Sequence, residues 1–467
     1  MKINPSLTGD PTIFLDLKSQ HTQFVPFRSS DFQIDTESIV EILRNAIPFT
    51  PNTTDKNLKM LSLGISGESD SDNFKFSYSF PIEQASNDHK PEPSLEEAVK
   101  SYHSLLCKSI ESKTRECGTP YLLQSAGKDS TSLAIALAET RPGTDCVTYH
   151  GGDEENEVNS AKAIATKLGL KHHSITSNPT RAYNTYLSKI PNLKSITGDF
   201  AFLSYFDILG QIKLNSDSVI DGLGSDVYLG TPFSFYQKVA YFLANNYKVP
   251  DWIYQMPLIN RNFKACYLLS TLELSKLERF FPGSRFSLPE IENLFDSKFK
   301  VSPNPRSNIF LSDYSNSRTL EEKRAIALSI LEAGGAFAKG RLSTESFGMN
   351  VLYPFCNDEI ARFMCSLPQK YKMNKETNKI IVRKHIEYYF KDLPYVKTKG
   401  SFRFNLVNFA NTSFDQVFHF AELNQQTLPG AKNWLIKNKP HLDNKYFASK
   451  FYLLAIILPW LHFHQDK

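Results

Sequence analysis

The sequence predicts an α/β fold: a parallel sheet with intervening helices, a helical C-terminal part, and a small β-rich domain ahead of both. Three stretches carry this prediction. Residues 120–140 read as a short apolar strand, a small-residue loop and a helix. Residues 145–176 repeat strand, helix and strand. Residues 218–230 end another apolar strand in a loop with two glycines. Strands joined through helices in this way form parallel pairs with right-handed crossovers.

At 467 residues the chain is long enough for two domains. It is 41% hydrophobic and 22% charged, the balance of a soluble globular protein. A net charge of +4 is too small to argue for nucleic acid or a membrane as partner. The six cysteines, Cys107, Cys117, Cys146, Cys266, Cys356 and Cys365, form no C-x-x-C pair. They read as buried thiols in a reducing compartment. The first residues, MKINPSLTGDPTIFLDLK, hold no apolar signal-peptide core. The longest apolar run, residues 452–461, is shorter than a bilayer span and contains Pro459. These features lead to the expectation of a cytoplasmic enzyme without a membrane partner; homo-oligomerisation stays open.

Within residues 1–90, alternating runs at 12–17, 59–63 and 74–80 are separated by Ser, Asp, Asn and Pro clusters, which predicts the β-rich domain. Residues 84–93 are polar and proline-bearing, a linker to a second domain over 92–467. Ser94 and Glu97 fit a capping box, opening a helix with Ala98, Tyr102, Leu105, Leu106 and Ile110 on one face. Tyr121-Leu122-Leu123 is the next strand. Ser125-Ala126-Gly127-Lys128-Asp129-Ser130 is a turn, and Leu133, Ala134, Leu137 and Ala138 then recur at helical spacing. The first helical N–H groups lack partners and the helix dipole favours negative charge, so this turn is a candidate anion site. Its spacing is neither that of a Walker A loop nor that of a dinucleotide-binding loop.

Strands at 145–149 and 170–176 flank a helix closed by Gly169. His172 and His173 face opposite sides of a strand, so they do not chelate one ion; one is expected packed and one solvated. In 218–230, Gly222 and Gly224 let backbone pass close to a phosphate, and Asp226 at a helix start can hold Mg²⁺. Asp129 and Asp226, from two strand ends, suit an ion that also touches phosphates.

The turn at 125–130 resembles the pyrophosphate loop S-G-G-x-D-S of the N-type ATP pyrophosphatases, with Ala126 in place of the first glycine. Together with the second loop, the chain resembles the synthetase domain of the asparagine synthetase superfamily over residues 92–467. Gly222, Gly224, Asp226, Tyr228 and Gly230 match that family's second motif, with Val227 where glutamate is usual. Glu157, Ala161, Ala165 and the His172-His173 pair resemble its second strand–helix–strand unit. Tyr353-Pro354-Phe355-Cys356-Asn357-Asp358 resembles its R-V-P-F-L-D stretch. Lys379 and Arg383 resemble the cations of its K-x-x-L-R helix, on one helical face. Lys397-Thr398-Lys399-Gly400-Ser401-Phe402 resembles its basic loop, and residues 450–463 its final helix.

The resemblance implies an ATP-pyrophosphatase domain of the adenine nucleotide α-hydrolase type, with ATP and Mg²⁺ as cofactors. It implies that Ser125, Ala126, Gly127, Lys128, Asp129, Ser130, Gly222 and Gly224 hold the nucleotide. Asp129 and Asp226 would hold the metal, Lys379 and Arg383 phosphate or substrate, and Lys399 would assist amide formation. The implied reaction adenylates a carboxylate with loss of pyrophosphate, and an amine then displaces AMP.

Departures narrow the product. Asparagine synthetases begin with the cysteine nucleophile of a glutaminase domain. Here Met1-Lys2-Ile3-Asn4 opens a region too short for one. Asn350 stands four residues before Pro354, where the synthetases carry a glutamate near the amino-acid substrate, and a neutral amide cannot act as a base. Glu345 is the nearby candidate to replace it. Such departures resemble the β-lactam and carbapenam synthetases and the lasso-peptide cyclases. They imply an intramolecular amide ligase of antibiotic-type specialised metabolism, acting on a small-molecule or peptide carboxylate. Aromatics between residues 231 and 318 would then line its pocket, although most read as helical core. Two other readings stay open: a tRNA-modifying pyrophosphatase-loop enzyme, and an inactive homologue serving as a binding subunit.

Overall fold

The alternating runs of the first 80 residues become six short strands in the computed structural model, which describes residues 1–4, 8–70, 73–80, 92–151, 155–212, 217–296, 305–395 and 404–465. They are β1 (Lys2–Ile3), β2 (Ile13–Asp16), β3 (Thr22–Gln23), β4 (Leu58–Leu61), β5 (Ile65–Asp70) and β6 (Asn73–Tyr78). They form two three-stranded antiparallel sheets, β3-β2-β4 and β1-β5-β6. A helix the strand signals do not show, α1 (Thr36–Asn45), lies between β3 and β4. Its Ile39, Ile42 and Leu43 fall on one buried face at helical spacing. It ends where Ala46 turns left-handed, at φ 62°, and donates its N–H back to Ile42 O. The linker expected at 84–93 falls largely outside the described residues.

The capping box forms as the sequence predicts: Ser94 Oγ accepts the Glu97 N–H at 3.2 Å and the Glu97 carboxylate accepts the Ser94 N–H at 2.8 Å. It opens α2 (Leu95–Lys113). Then come β7 (Tyr121–Leu123), α3 (Lys128–Thr140), β8 (Asp145–His150), α4 (Glu155–Lys167) and β9 (Lys171–Thr176) in the predicted alternation. Gly169 closes α4 at φ 71°. His172 and His173 take separate partners: His172 Nε2 lies 2.9 Å from Thr148 Oγ1, and His173 Nε2 lies 3.9 Å from Asp145 Oδ2. Two further helices, α5 (Pro179–Lys189) and α6 (Phe202–Gln211), lead to β10 (Ser218–Ile220), α7 (Ser225–Leu229) and α8 (Phe235–Leu243). β11 (Asn350–Leu352) completes the sheet.

The five strands are all parallel, in the order β11-β10-β7-β8-β9. The order runs outward in both directions from β7 and β10. Such a reversal opens a crevice at the C-terminal strand ends, where ligands bind in open α/β sheets. The loop at 125–130 leaves β7 there, and the loop at 221–224 leaves β10 beside it. A Cβ placed on Gly222 would lie 3.7 Å from both Asp129 Cβ and the Ser130 backbone N. The sheet thus brings together two motifs nearly a hundred residues apart in sequence.

The rest of the chain is helical. The helix Lys445–His464 is long and apolar enough to cross a membrane, yet 89% of its apolar window is buried inside the protein. Pro459 cannot donate to the carbonyl four residues earlier. The Tyr183 hydroxyl donates to that carbonyl, Ala455 O, at 3.2 Å, and Tyr186 donates to Ile456 O at 2.6 Å. This helix anchors a core that holds Phe14, Ile42, Leu43 and Leu58 together with Tyr186 and Trp460. A second core joins Leu15, Ile47 and Leu61 to Phe281, Phe310 and Ile330. The N-terminal strands therefore share their apolar interior with residues far downstream.

Candidate active site

The first loop is held tight by its two serines. Ser130 Oγ donates to Ser125 O at 2.6 Å, the Gly127 N–H donates to Ser125 Oγ at 3.2 Å, and the two hydroxyls lie 3.1 Å apart. Ala126 is fully buried and does not take a positive φ, so its methyl group costs the backbone nothing here. Gly127 is the N-cap of α3 in an extended conformation, and no side chain caps that helix end. The leading N–H groups of α3 are therefore left for an external acceptor, the condition for anion binding.

Lys379 closes the site from 250 residues away in sequence. Its Nζ donates to Asp129 Oδ1 at 2.8 Å, to Asp226 Oδ1 at 2.9 Å and to Ser225 Oγ at 2.8 Å, which uses all three of its protons. Ser225 Oγ donates in turn to Asp129 Oδ1 at 3.0 Å. Burial favours the neutral form of Asp129, but the charges of Lys379 and Lys128 outweigh it and hold the carboxyl below its ordinary value. For Lys379, burial likewise opposes the charge, and the two aspartates overcome it and raise the ammonium. Lys128, at the first position of α3, is lowered chiefly by burial, with Lys379 and Arg383 adding repulsion.

Lys379 reaches this position through a strained backbone. It is the N-cap of the helix Ile380–Tyr389 at φ 54° and ψ 47°, a left-handed conformation that a long side chain adopts only when its surroundings demand it. The expectation of Lys379 and Arg383 on one helical face is corrected accordingly. Lys379 precedes the helix and turns back into the crevice, while Arg383 sits within the first turns with Nε donating to Asn378 O at 3.1 Å.

Asp226 stands in the first turn of α7, after Gly224 at φ 106°. A Cβ at Gly224 would come within 2.4 Å of Cys356 Sγ, so the glycine is required both by its φ and by the close approach of residue 356. The Asp226 side chain keeps about half of its surface exposed and the Asp129 side chain about a quarter. Two carboxylates that share one cation and still face open space suit a Mg²⁺ ion completed by phosphate oxygens and water. The donor set thus fits the metal expected of it.

One ionisable group here was not legible in the sequence. Glu332 opens a π-helical turn, Glu332–Phe337, between the helices Leu320–Leu331 and Ala338–Ser346. Phe337 of this turn packs beside Gly224. Glu332 is buried, its Oε2 has no hydrogen-bond partner, and its carboxyl is pushed up to about 8, by burial first and then by the charge of Asp226. π-Turns of this kind often mark functional positions. The only sequence hint is Gly334-Gly335, which lets the turn press against residues 47 and 48: a Cβ on Gly334 would lie 2.4 Å from Pro48 O.

Beside the site lies a cavity of about 690 Å³, lined in part by Val227, Tyr228, Gly230, Phe233, Lys238 and Met373. Val227, at the position where glutamate was the family expectation, is buried among apolar neighbours. The aromatics between residues 231 and 318 divide. Tyr241, Phe281, Phe286 and Phe310 are core, whereas Phe235, Tyr236 and Phe242 on α8 are exposed.

Other candidates do not join the cluster. Asn350 begins β11 and pairs with Ser218 at the strand's N-terminal end, away from the crevice. Glu345 lies in the last turn of the helix Ala338–Ser346, and its carboxyl is raised by burial, with Lys194 opposing the rise. Lys397 and Lys399 lie outside the described residues, as do Gly400, Ser401 and Phe402.

A family model described as asparagine synthase matches residues 102–418, about two thirds of the chain. The match takes in both loops, Lys379 and Glu332, and leaves the helix Lys445–His464 beyond its end. No curated protein matches the chain.

Proposed function

Because the chain belongs to the asparagine synthase family, an ATP-dependent class of amide-forming ligases, we propose that it is an AMP- and pyrophosphate-forming ligase. We propose further that it joins a carboxylate and an amine of one molecule. The observation that carries the first part is Lys379 held between Asp129 and Asp226, directly beside a phosphate-type loop and an uncapped helix end.

The chemistry follows from these groups. ATP lies with its β- and γ-phosphates against the N-terminus of α3, near Lys128. A carboxylate oxygen of the substrate attacks the α-phosphorus, the bond to the β-phosphate oxygen breaks, and pyrophosphate leaves carrying the electron pair. Lys128 and the first N–H groups of α3 meet the charge that develops on that leaving group, donors set in place before the reaction begins, while Lys379 holds the two aspartates in position. Asp129 and Asp226 would hold Mg²⁺, which when bound neutralises phosphate charge. The amine then attacks the acyl carbon, the bond to the AMP oxygen breaks, and the amine proton leaves for solvent or a neighbouring base.

The neighbouring cavity supports a substrate larger than a free amino acid, since its volume is that of ordinary small-molecule sites. The test is nucleotide product analysis with Mg-ATP and a small-molecule extract of the host, with Asp129→Ala as control. The reading expects AMP and pyrophosphate from the unaltered protein alone, with a new metabolite one water lighter than its precursor. ADP as product contradicts adenylation. A product uniting two precursors contradicts the intramolecular part.

A further inference from the structure

Away from the crevice, α2, α3 and the helix Ile380–Tyr389 meet around a cluster of metal-type ligands. His103 and Cys107 stand one turn apart on α2, and Glu139 comes from the last turn of α3. His103 Nε2 lies 2.9 Å from Glu139 Oε2 and 3.5 Å from Cys107 Sγ. The three ligand atoms all lie within 4.8 Å of one another. Ligands about 2.0–2.3 Å from a tetrahedral zinc ion stand roughly 3.3–3.8 Å apart, so the His103–Cys107 separation already suits one ion, and the shorter His103–Glu139 contact has only to open by a few tenths of an ångström, with the exposed glutamate free to move.

The surroundings are those of a prepared ligand. His103 Nδ1 lies 2.9 Å from His385 Nε2, and His385 Nδ1 lies 3.0 Å from Ser132 Oγ. A second-layer hydrogen bond of this kind fixes which ring nitrogen is free to ligate. Tyr389 stacks on the His103 ring at 3.9 Å and holds its plane. His103 and Cys107 are buried, while the Glu139 side chain is 64% exposed and marks the side from which an ion can enter.

We propose that His103, Cys107 and Glu139 form a site for a divalent transition-metal ion of the zinc class, with water as fourth ligand. Thiolate, imidazole and carboxylate donors together select such an ion over Mg²⁺, which prefers oxygen alone. On binding, the Cys107 thiol loses its proton to solvent and its sulfur takes the metal. The site ties α2 to the end of α3 remote from the phosphate loop. It is separate from the Asp129–Asp226 pair and does not depend on the ligase reading.

The test titrates the purified full-length protein with Co²⁺ in excess Mg²⁺, which occupies the oxygen-only sites. The proposal expects one equivalent of Co²⁺, a near-ultraviolet thiolate-to-cobalt band, and displacement of that band by Zn²⁺. Cys107→Ser should abolish the band. Should that buried substitution impair folding, Glu139→Gln at its exposed position decides: affinity should fall by about tenfold or more. Absence of the band in the unaltered protein, its survival in folded Cys107→Ser, or unchanged affinity in Glu139→Gln overturns the proposal. The cluster would then be a hydrogen-bonded network alone.

Discussion

Lys379 and Glu332 carry the electrostatic character of the site in opposite senses. Lys379 is surrounded by partners, and removing it leaves two facing carboxylates without their shared cation. Lys379→Ala should lose stability at the lower end of about 3–5 kcal/mol, because both carboxylates keep some contact with water. Urea denaturation measures this. Glu332 is instead short of partners. Its carboxyl titrates at about 8 in the folded protein against an ordinary 4.5, so between these values the folded state binds a proton that the unfolded state has released. Stability from this group is therefore complete below pH 4.5 and is lost as pH rises toward 8, with a slope of at most about 1.4 kcal/mol per pH unit. Glu332→Gln should remove that slope, which denaturation midpoints at pH 5 and pH 8 would show. The contrast also marks what could be read beforehand. Asp129 and Asp226 sit in contiguous motifs and were legible. Glu332 reaches the site only through a π-turn, and a turn of that kind leaves no periodic signal. Lys379 stood out in the sequence as a cation for phosphate or substrate, but its place as a bridge between two carboxylates depends on a left-handed backbone that the sequence does not announce.

At the scale of elements, the strand–helix alternation from 121 to 176 was legible because each parallel strand is a short apolar run followed by a helical period. The helix α1 was not, because Ser38-Ile39-Val40 in a region of alternating runs reads equally well as strand. The glycine loop after β10 is the element on which the site's geometry rests. Gly224 combines φ 106° with the approach of Cys356 Sγ. Gly224→Ala should cost about 1–2 kcal/mol for the backbone conformation alone, and more for the contact. It should also displace Asp226, so Mg-ATP affinity should fall together with the thermal midpoint. Gly222→Ala is the comparison. Its added methyl group would meet Leu133 Cδ1 at 3.4 Å without a positive φ, so a smaller stability loss is expected.

At the scale of the molecule, composition and motif spacing anticipated a small β-rich region followed by an α/β unit, and the described residues carry both. How the two are joined was not legible, because shared cores arise from contacts that no local pattern records. Phe14, Ile42, Leu43 and Leu58 are each fully buried in the core that surrounds the helix Lys445–His464. Asp10 pairs with Lys113 of α2 and with Arg341, adding charge to the same junction. At about 1.5–3 kcal/mol for each buried side chain, these contacts rival the roughly 5–15 kcal/mol net stability of a typical protein. A chain beginning at residue 92 should therefore lack cooperative unfolding and be cut rapidly by protease. A cooperative transition from residues 92–467 alone would instead make the first region a dispensable domain.

The proposed ligase chemistry requires the loop at 125–130, with Asp129, Asp226 and Lys379 around it, to be a pyrophosphate site. Calorimetric titration of the protein with pyrophosphate tests this without knowledge of the carboxylate substrate. The expected result is binding that requires Mg²⁺, competes with ATP, and weakens at least about tenfold in Asp226→Asn, a loss of roughly 1.4 kcal/mol. Binding that ignores both Mg²⁺ and Asp226, or no binding of Mg-pyrophosphate at all, would contradict the claim.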